Sequence, residues 1–199
     1  MKCVSCPETA IYECVVCGKP LCPKHTHFRA VCTDCTKRKE RLSYRIRTLN
    51  AAGEEETVRE LVKVFWGEDE QLTFGRKFLV SSLPAYAAEV YKRVVGFVAF
   101  APLGDALLVV ALGVVPEYQN CGIGRRLIMQ VKQEAGRLGK KKLLVSTSND
   151  DLPALAFYQR EGFQIFAVKP NVIAEKHGRV LAGIGGLPIR DELRMRRIL

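Results

Sequence analysis

The sequence predicts a mixed α/β domain, built on a mixed sheet, behind a small N-terminal zinc-binding module. Three observations predict it. Seven of the eight cysteines fall before residue 36. From residue 44 onward, strand-like and helix-like patterns alternate. A valine-rich strand also runs through a glycine loop directly into an amphipathic helix. The 199 residues allow one ordinary domain plus an appendage. With 48% hydrophobic and 26% charged residues, disorder and low complexity are excluded. The 31 lysines and arginines exceed the 21 acidic residues by ten, a balance that favours acidic partners without naming one.

The cysteine-rich module spans residues 1–40. Its order is Cys3-x2-Cys6, Cys14-x2-Cys17, Cys22-x2-His25 and Cys32-x2-Cys35, four pairs of identical spacing. A tetrahedral zinc takes four such ligands, and each short pair aims two donors at one metal, so eight ligands predict two Zn2+ ions. A disulfide framework conflicts with the lack of an apolar signal core after Met1-Lys2-Cys3, with the odd count, and with His25 in a cysteine's place. The same features predict a cytoplasmic setting. With ligands enough to close both sites, the zinc is expected to be structural rather than catalytic. Pairing is open between a sequential scheme (Cys3, Cys6, Cys14, Cys17, then the other four) and a cross-brace (Cys3, Cys6, Cys22, His25 against Cys14, Cys17, Cys32, Cys35). The four-residue gap between Cys17 and Cys22 resembles B-box zinc fingers, which implies the interleaved scheme. The run Lys37-Arg38-Lys39 reads as a solvated linker before it reads as a nucleic-acid contact.

The larger domain is expected over residues 44–199. Tyr44 to Leu49 alternates as a strand, and Glu54 to Trp66 places Val58, Leu61, Val62 and Phe65 on one helical face. Residues 67–83 are expected to hold a second short helix. Tyr86 to Lys92, Val94 to Ala101 and Ala106 to Val114 read as three strands. The nearly unbroken apolar stretch from Val94 to Val115 is cut by Pro102-Leu103-Gly104-Asp105, so it predicts two buried strands around a turn and no membrane partner. Gly122 to Gly136 is helical, Lys142 to Thr147 a strand, Pro153 to Arg160 a short helix and Phe163 to Val168 a strand. A glycine-rich loop and a last strand near Asp191 to Arg197 follow.

The most informative segment runs from Val114 to Arg126. Helix N-termini expose unpaired N–H groups and partial positive charge, which cradle phosphate. Gly122 and Gly124 admit a bulky anion close to the backbone, and Arg125 and Arg126 add charge. Neither a Walker loop nor a dinucleotide fingerprint is present. Gln119-x-x-Gly122-x-Gly124, directly after a strand, resembles the Q/R-x-x-G-x-G/A signature of the GNAT superfamily of N-acetyltransferases. Asn149 followed by Ala154-Leu155-Ala156-Phe157-Tyr158-Gln159-Arg160-Glu161-Gly162-Phe163 resembles a second segment of that family, and the element order agrees with it.

This resemblance implies an acetyl-CoA-dependent transfer of an acetyl group to an amine. The pantetheine arm would pair with Leu112, Gly113 and Val114, and the diphosphate would sit on the N–H groups of Gln119, Asn120, Cys121, Gly122, Ile123, Gly124 and Arg125. Asn149 would contact the cofactor, although eight residues separate it from Tyr158 where six are common. Tyr158 would protonate the departing thiolate, as general acid. Gly113 inside an apolar strand marks a bulge, a close ligand approach or simple packing. No base is evident. Glu89, Glu117, Asp191 and Glu192 remain as candidates, each first a surface charge. The zinc module would recruit the acceptor, a protein or a small amine, or dock a protein partner. Two other classes stay open: a non-catalytic acyl-CoA sensor, and a nucleic-acid-associated regulator with salt-dependent binding.

Overall fold

The computed structural model describes residues 1–14, 19–22, 43–49 and 51–199. Two compact units are distinguished: Met1–Ser43 with Pro116–Gly122, and Tyr44–Val115 with Ile123–Leu199. In the first, β1 (Tyr12–Glu13) pairs antiparallel with β2 (Pro20–Leu21), and Lys2 bridges Thr9. Its buried side chains among residues 1–22 include Cys3, Cys14, Leu21 and Cys22, too little apolar surface to hold so short a segment without a cross-link.

The second unit is built on one sheet. Its strands are β3 (Arg45–Leu49), β6 (Ala85–Val90), β7 (Arg93–Leu103), β8 (Ala106–Val114), β9 (Lys142–Ser148), β10 (Gln164–Lys169) and β13 (Glu192–Ile198). They lie in the order β10-β13-β9-β8-β7-β6-β3, and all neighbours are antiparallel except β8 and β9. Helix α1 (Ala51–Trp66) covers one face, packing Val58, Val62 and Phe65 on Ala85, Phe97, Ala99 and Ala111. Helix α2 (Ile123–Arg137) buries Ile123, Leu127, Ile128, Val131 and Ala135. Ile123 lies against Gly96, the neighbour of α1-facing Phe97, so strand alternation places α2 on the opposite face. Helix α3 (Leu152–Arg160) follows β9, with Asp151 as its N-cap.

The helix expected within residues 67–83 is instead a hairpin, β4 (Glu70–Thr73) with β5 (Arg76–Leu79), followed by a 3-10 turn at Val80–Ser82. Phe74 and Gly75 both take positive φ, 53° and 70°, which makes the two-residue turn that matches strand twist. The expected glycine-rich loop after β10 carries helix α4 (Val172–His177) and a small ribbon of β11 (Leu181–Ala182) with β12 (Pro188–Ile189).

Two features position the site. Strands β8 and β9 pair from Ala106↔Lys142 to Val109↔Val145 and then separate, although both continue. The β7–β8 register shifts there, from Ala99↔Ala111 to Phe100↔Val109, leaving Val110 as an extra residue that bends β8. Close by, a Cβ added at Gly113 would lie 2.6 Å from the Phe65 ring, so packing explains this glycine. At the far edge, Glu89 takes the Arg47 and Arg45 guanidiniums at 2.6 and 2.7 Å, and Arg47 continues to Glu54 in the first turn of α1. The sequence reading made Glu89 a surface charge, but it is 7% exposed.

Gly113→Ala is expected to destabilise the domain by about 1–3 kcal/mol through overpacking, and Phe65→Leu in the same chain to restore part of the loss; thermal unfolding of the single and double variants measures both. Arg47, then Arg45, holds the Glu89 carboxyl below its usual 4.5 against the opposing effect of burial. The charged form is therefore favoured on folding, and its stabilisation is full above pH 4.5 and lost as pH falls through the lowered value. Glu89→Gln is expected to flatten the acid side of the stability profile, read by urea unfolding from about pH 3 to 6.

Candidate active site

Where β8 and β9 part, a cavity of about 370 Å³ opens in the second unit. One wall is β8 at Val110, Ala111 and Leu112; the facing wall is β9 from Val145 to Ser148. Trp66 at the end of α1 and Gln71, Leu72 and Thr73 of β4 close one side. Asp151, Ala154 and Tyr158 of the α3 segment line another, and Val172, Ile173, Lys176 and His177 of α4 cover the rest with Leu181, Ile189 and Glu192. Beyond the parting point β8 keeps its pairs to β7 (Leu112↔Val98, Gly113↔Phe97, Val114↔Gly96), while its other edge faces the gap.

Tyr158, expected as the acid, is 6% exposed and reaches this cavity. Its ring is held edge-on by Phe157 and Phe163, with centroids 5.2 and 5.6 Å away. Burial, and then the Asp151 charge, raises the phenol above its usual 10, so the hydroxyl keeps its proton at neutral pH. The Asp151 carboxyl is raised chiefly by burial, while it caps α3 by accepting from the Ala154 N–H at 3.0 Å.

The Asn149 amide is engaged within the chain. Its Oδ1 accepts from the N–H groups of Arg190 and Asp191 at 2.9 and 2.8 Å, and its Nδ2 donates to the Pro188 carbonyl at 2.7 Å. Its amide therefore serves the returning chain. The adjacent Asp150, 4% exposed, accepts from Ile184 N at 3.1 Å through Oδ2; Oδ1 is buried and has no hydrogen-bond partner among the described residues. Together Asn149 and Asp150 clamp the segment that carries β11 and β12 over the cavity.

The glycine motif lies where expected in the chain. Pro116–Tyr118 is a 3-10 turn, the Gln119 N–H donates to Pro116 O at 3.2 Å, and the buried Cys121 thiol lies 3.8 Å from Gln119 O. Asn120 and Gly122 are left-handed at φ 63° and 78°. Ile123 then begins α2, whose first turn holds Gly124, Arg125 and Arg126 and no acidic residue, so its positive end is left uncompensated by its own sequence. Arg125 meets Glu161 at 3.0 Å, and Gly124 lets Phe157 approach, since a Cβ there would lie 3.2 Å from the ring.

Of the zinc-ligand candidates, Cys3, Cys6, Cys14 and Cys22 are described; Cys17, His25, Cys32 and Cys35 lie outside the described residues. The sulfurs of Cys3, Cys6 and Cys22 fall within 4.8 Å of one another, and Cys14 is not in this group. Burial pushes the Cys3 thiol up, but the Ser5 and Cys22 N–H groups and the Cys22 and Cys6 side chains outweigh it and bring it to about 6.

Residues that sequence reasoning missed fill the remaining polar surface. Thr73, Ser146, Lys176 and His177 line the cavity, and Lys176 pairs with Glu68 from the α1–β4 connection. Of the base candidates, Glu192 alone lines it, and at 3% exposure it is no surface charge. Asp191 is tied to Arg190 and to Asn171 N. The period-two pattern of the last strand was the available signal, because Glu192 and Arg194 share the face of β13 that Met195 leaves.

Residues 50–163, more than half of the chain, match the Acetyltransferase (GNAT) family. Over 140 residues the chain is 30% identical to the uncharacterized protein YdhI of Bacillus subtilis, covering 67% of this chain and 86% of that protein. Among solved structures it is similar to an IAA acetyltransferase from Bacillus cereus (TM-score 0.65, 20% identity, 79% of this chain and 100% of that one). It is also similar to a GNAT family acetyltransferase from Elizabethkingia anophelis with acetyl-CoA bound (TM-score 0.59, 18% identity, 78% and 98%).

Asn149→Ala removes three hydrogen bonds to the 188–191 backbone and is expected to lower stability by about 1–3 kcal/mol. Amide hydrogen exchange should rise first at residues 188–191, with thermal unfolding giving the magnitude.

Proposed function

Because the chain belongs to the acetyltransferase (GNAT) family, we propose that it transfers the acetyl group of acetyl-CoA to the nitrogen of an amine. The parting of β8 and β9 above a cavity that contains Tyr158 carries this reading. The gap leaves the edge of β8 at Leu112, Gly113 and Val114 facing a space into which an extended pantetheine arm fits as a strand would. From the sequence motif, the diphosphate is assigned to the N–H groups from Asn120 to Arg125 leading into α2, the Gln119 N–H being taken by Pro116 O.

In this reaction the amine nitrogen bonds to the thioester carbon, the C–S bond breaks, and the thiolate takes a proton from the Tyr158 hydroxyl. Burial keeps the phenol protonated at neutral pH, so the acid form is the one present when the thiolate departs. Asn149 keeps its proposed cofactor contact through the second Nδ2 hydrogen, the other three positions of its amide serving Pro188, Arg190 and Asp191.

For the first unit the proposed metal is zinc, two ions per chain. Three converging thiols are the donor set of a structural Cys3His site, with His25 as the fourth ligand. The grouping of Cys3 and Cys6 with Cys22, and without Cys14, supports the interleaved pairing, which leaves Cys14, Cys17, Cys32 and Cys35 for the second ion. The metal supplies the cross-link that this small core lacks. The module's proposed role is recruitment of the acceptor or of a protein partner, in the cytoplasm.

Tyr158→Phe is expected to slow thiol release from acetyl-CoA about 100-fold while calorimetry shows acetyl-CoA binding retained; unchanged turnover removes Tyr158 as the acid. The purified chain is expected to carry two zinc ions by elemental analysis. Chelation should unfold the first unit, and a metal-free protein whose circular dichroism and protease resistance are unaltered at residues 1–36 rejects the zinc assignment.

A further inference from the structure

The proposed transfer needs an uncharged amine, and the polar side of the cavity contains a chain of groups able to supply it. Thr73 of β4, Ser146 of β9 and Glu192 of β13 come from three distant parts of the sequence and meet in one place. The Thr73 and Ser146 hydroxyls are 2.6 Å apart, and the Thr73 hydroxyl lies 3.3 Å from Glu192 Oε1. The Phe74 N–H also donates to that Oε1 at 2.9 Å, while Arg194 holds Oε2 at 2.9 Å.

Counting protons fixes the direction of these bonds. An ionised carboxylate only accepts, so the single proton of Thr73 points at Glu192. Thr73 has no second proton for Ser146, and Ser146 is therefore the donor in the 2.6 Å bond. The Ser146 oxygen keeps its lone pairs for a donor entering from the cavity that Ser146 lines. A staple that only fastened the β4–β5 hairpin would end at Thr73 and Phe74 N, with no need for a polar group at position 146.

We infer that Ser146 meets the acceptor ammonium, and that Glu192 takes its proton through Thr73. This rests on the acetyltransferase reading and deepens it by assigning the missing base. The ammonium N–H proton passes to Ser146 Oγ, the Ser146 proton to Thr73 Oγ1 and the Thr73 proton to Glu192 Oε1. The amine is left neutral, the carboxylate becomes a neutral acid, and no other reactant is required. After C–N bond formation the nitrogen's surplus proton replaces the one Tyr158 gave to the thiolate, and Glu192 returns its proton to solvent by the same route. Ser146 touches the substrate; Thr73 and Glu192 act through it. The titratable groups around Glu192 are Arg194 on its own strand and, lining the same cavity, Asp151, Tyr158, Lys176 and His177, with Glu68 paired to Lys176.

The test compares the full-length protein with Glu192→Gln and Ser146→Ala, using acetyl-CoA and two acceptor amines. One is an alkylamine, protonated at neutral pH; the other is an arylamine, already uncharged there. The side-chain carbonyl of Glu192→Gln can still accept from Thr73 and Phe74 N, but the amide cannot take up the proton. Ser146→Ala leaves every contact of Glu192 in place, so it decides the matter if the first variant folds poorly. The ratio of alkylamine to arylamine kcat/KM is expected to fall about 100-fold in Glu192→Gln and about tenfold or more in Ser146→Ala. The alkylamine deficit should shrink as pH rises past that amine's own pKa. Equal losses on both amines, or a deficit that does not change with pH, overturn the relay and leave a structural staple. A wild-type protein that binds no acetyl-CoA by calorimetry and releases no thiol overturns the acetyltransferase reading itself, a result distinct from an active wild type with indifferent variants.

Discussion

Everything in the second unit is arranged around a sheet that stops pairing in its middle. Backbone N–H and C=O groups buried without partners cost roughly 1–3 kcal/mol each, so two long neighbouring strands do not part without cause. Here the cause is local. Val110 is the additional residue on β8, and it bends that strand away from β9 while the ladder to β7 resumes beyond it. Phe65 lies on Gly113 on the α1 side and supports the displaced strand from behind. On the other side, β9 is held out by β13, which pairs with it from Lys142 through Ser148. Each half of the opening thus keeps one complete ladder, and only the facing edges give up a partner. An extended ligand can restore that partner.

The cavity below the opening is completed by a segment that contributes little to the core. No residue of α4 is buried, yet Val172, Ile173, Lys176 and His177 all line the cavity. Such a helix cannot be held by apolar burial, and its position depends on polar ties instead. Lys176 reaches Glu68, Asn171 N donates to Asp191 Oδ1 at 2.9 Å, and Asn149 and Asp150 fix the strands that follow. A Cβ at Gly183 would collide with Asp150 Oδ2, so the close approach of that turn to the buried carboxylate depends on glycine. Segments held in this way belong to the less stable part of a structure, which suits a wall that must admit one substrate and release another.

Much of this was legible in the sequence, for identifiable reasons. The strands β6 to β9 and helix α2 carry long, clean periodicities, and tertiary packing had nothing to override. The glycine motif was legible because it sits between a strand and a helix, where only a few backbone paths exist. Residues 67–83 were misread as helical because Phe74-Gly75 is an unusual dipeptide for a two-residue turn, which commonly begins with Asn or Asp. Gly113 could not be resolved without the structure, since a bulge, a ligand and an aromatic ring all favour the same absent side chain. Glu89 and Glu192 looked like surface charges because a lone acidic letter carries no sign of the arginines that will meet it. The partners of Glu89, Arg45 and Arg47, become evident only once the strand register is known, whereas Arg194 stands two residues from Glu192 on the same strand and was within reach of the period-two pattern.

Charge is unevenly placed in the second unit. The chain as a whole carries a net charge of +10, and its basic side chains Arg125 and Arg126 stand in the first turn of α2, at the positive end of the helix dipole. Around the cavity acidic and basic groups are mixed: Glu68 pairs with Lys176 and Glu192 with Arg194, and Asp151 stands on the same lining. A diphosphate and an ammonium carry opposite charges, and each would be repelled at the other's position. Coulomb energies between exposed charges fade over about 8–10 Å at physiological salt, so each region acts on the group bound beside it. Carboxylates on the lining favour the proposed amine in its protonated, unreactive form, so the proposed reaction includes a need to deprotonate it. A carboxylate held by Arg194 and reached from Ser146 through Thr73 meets that need in the proposed relay.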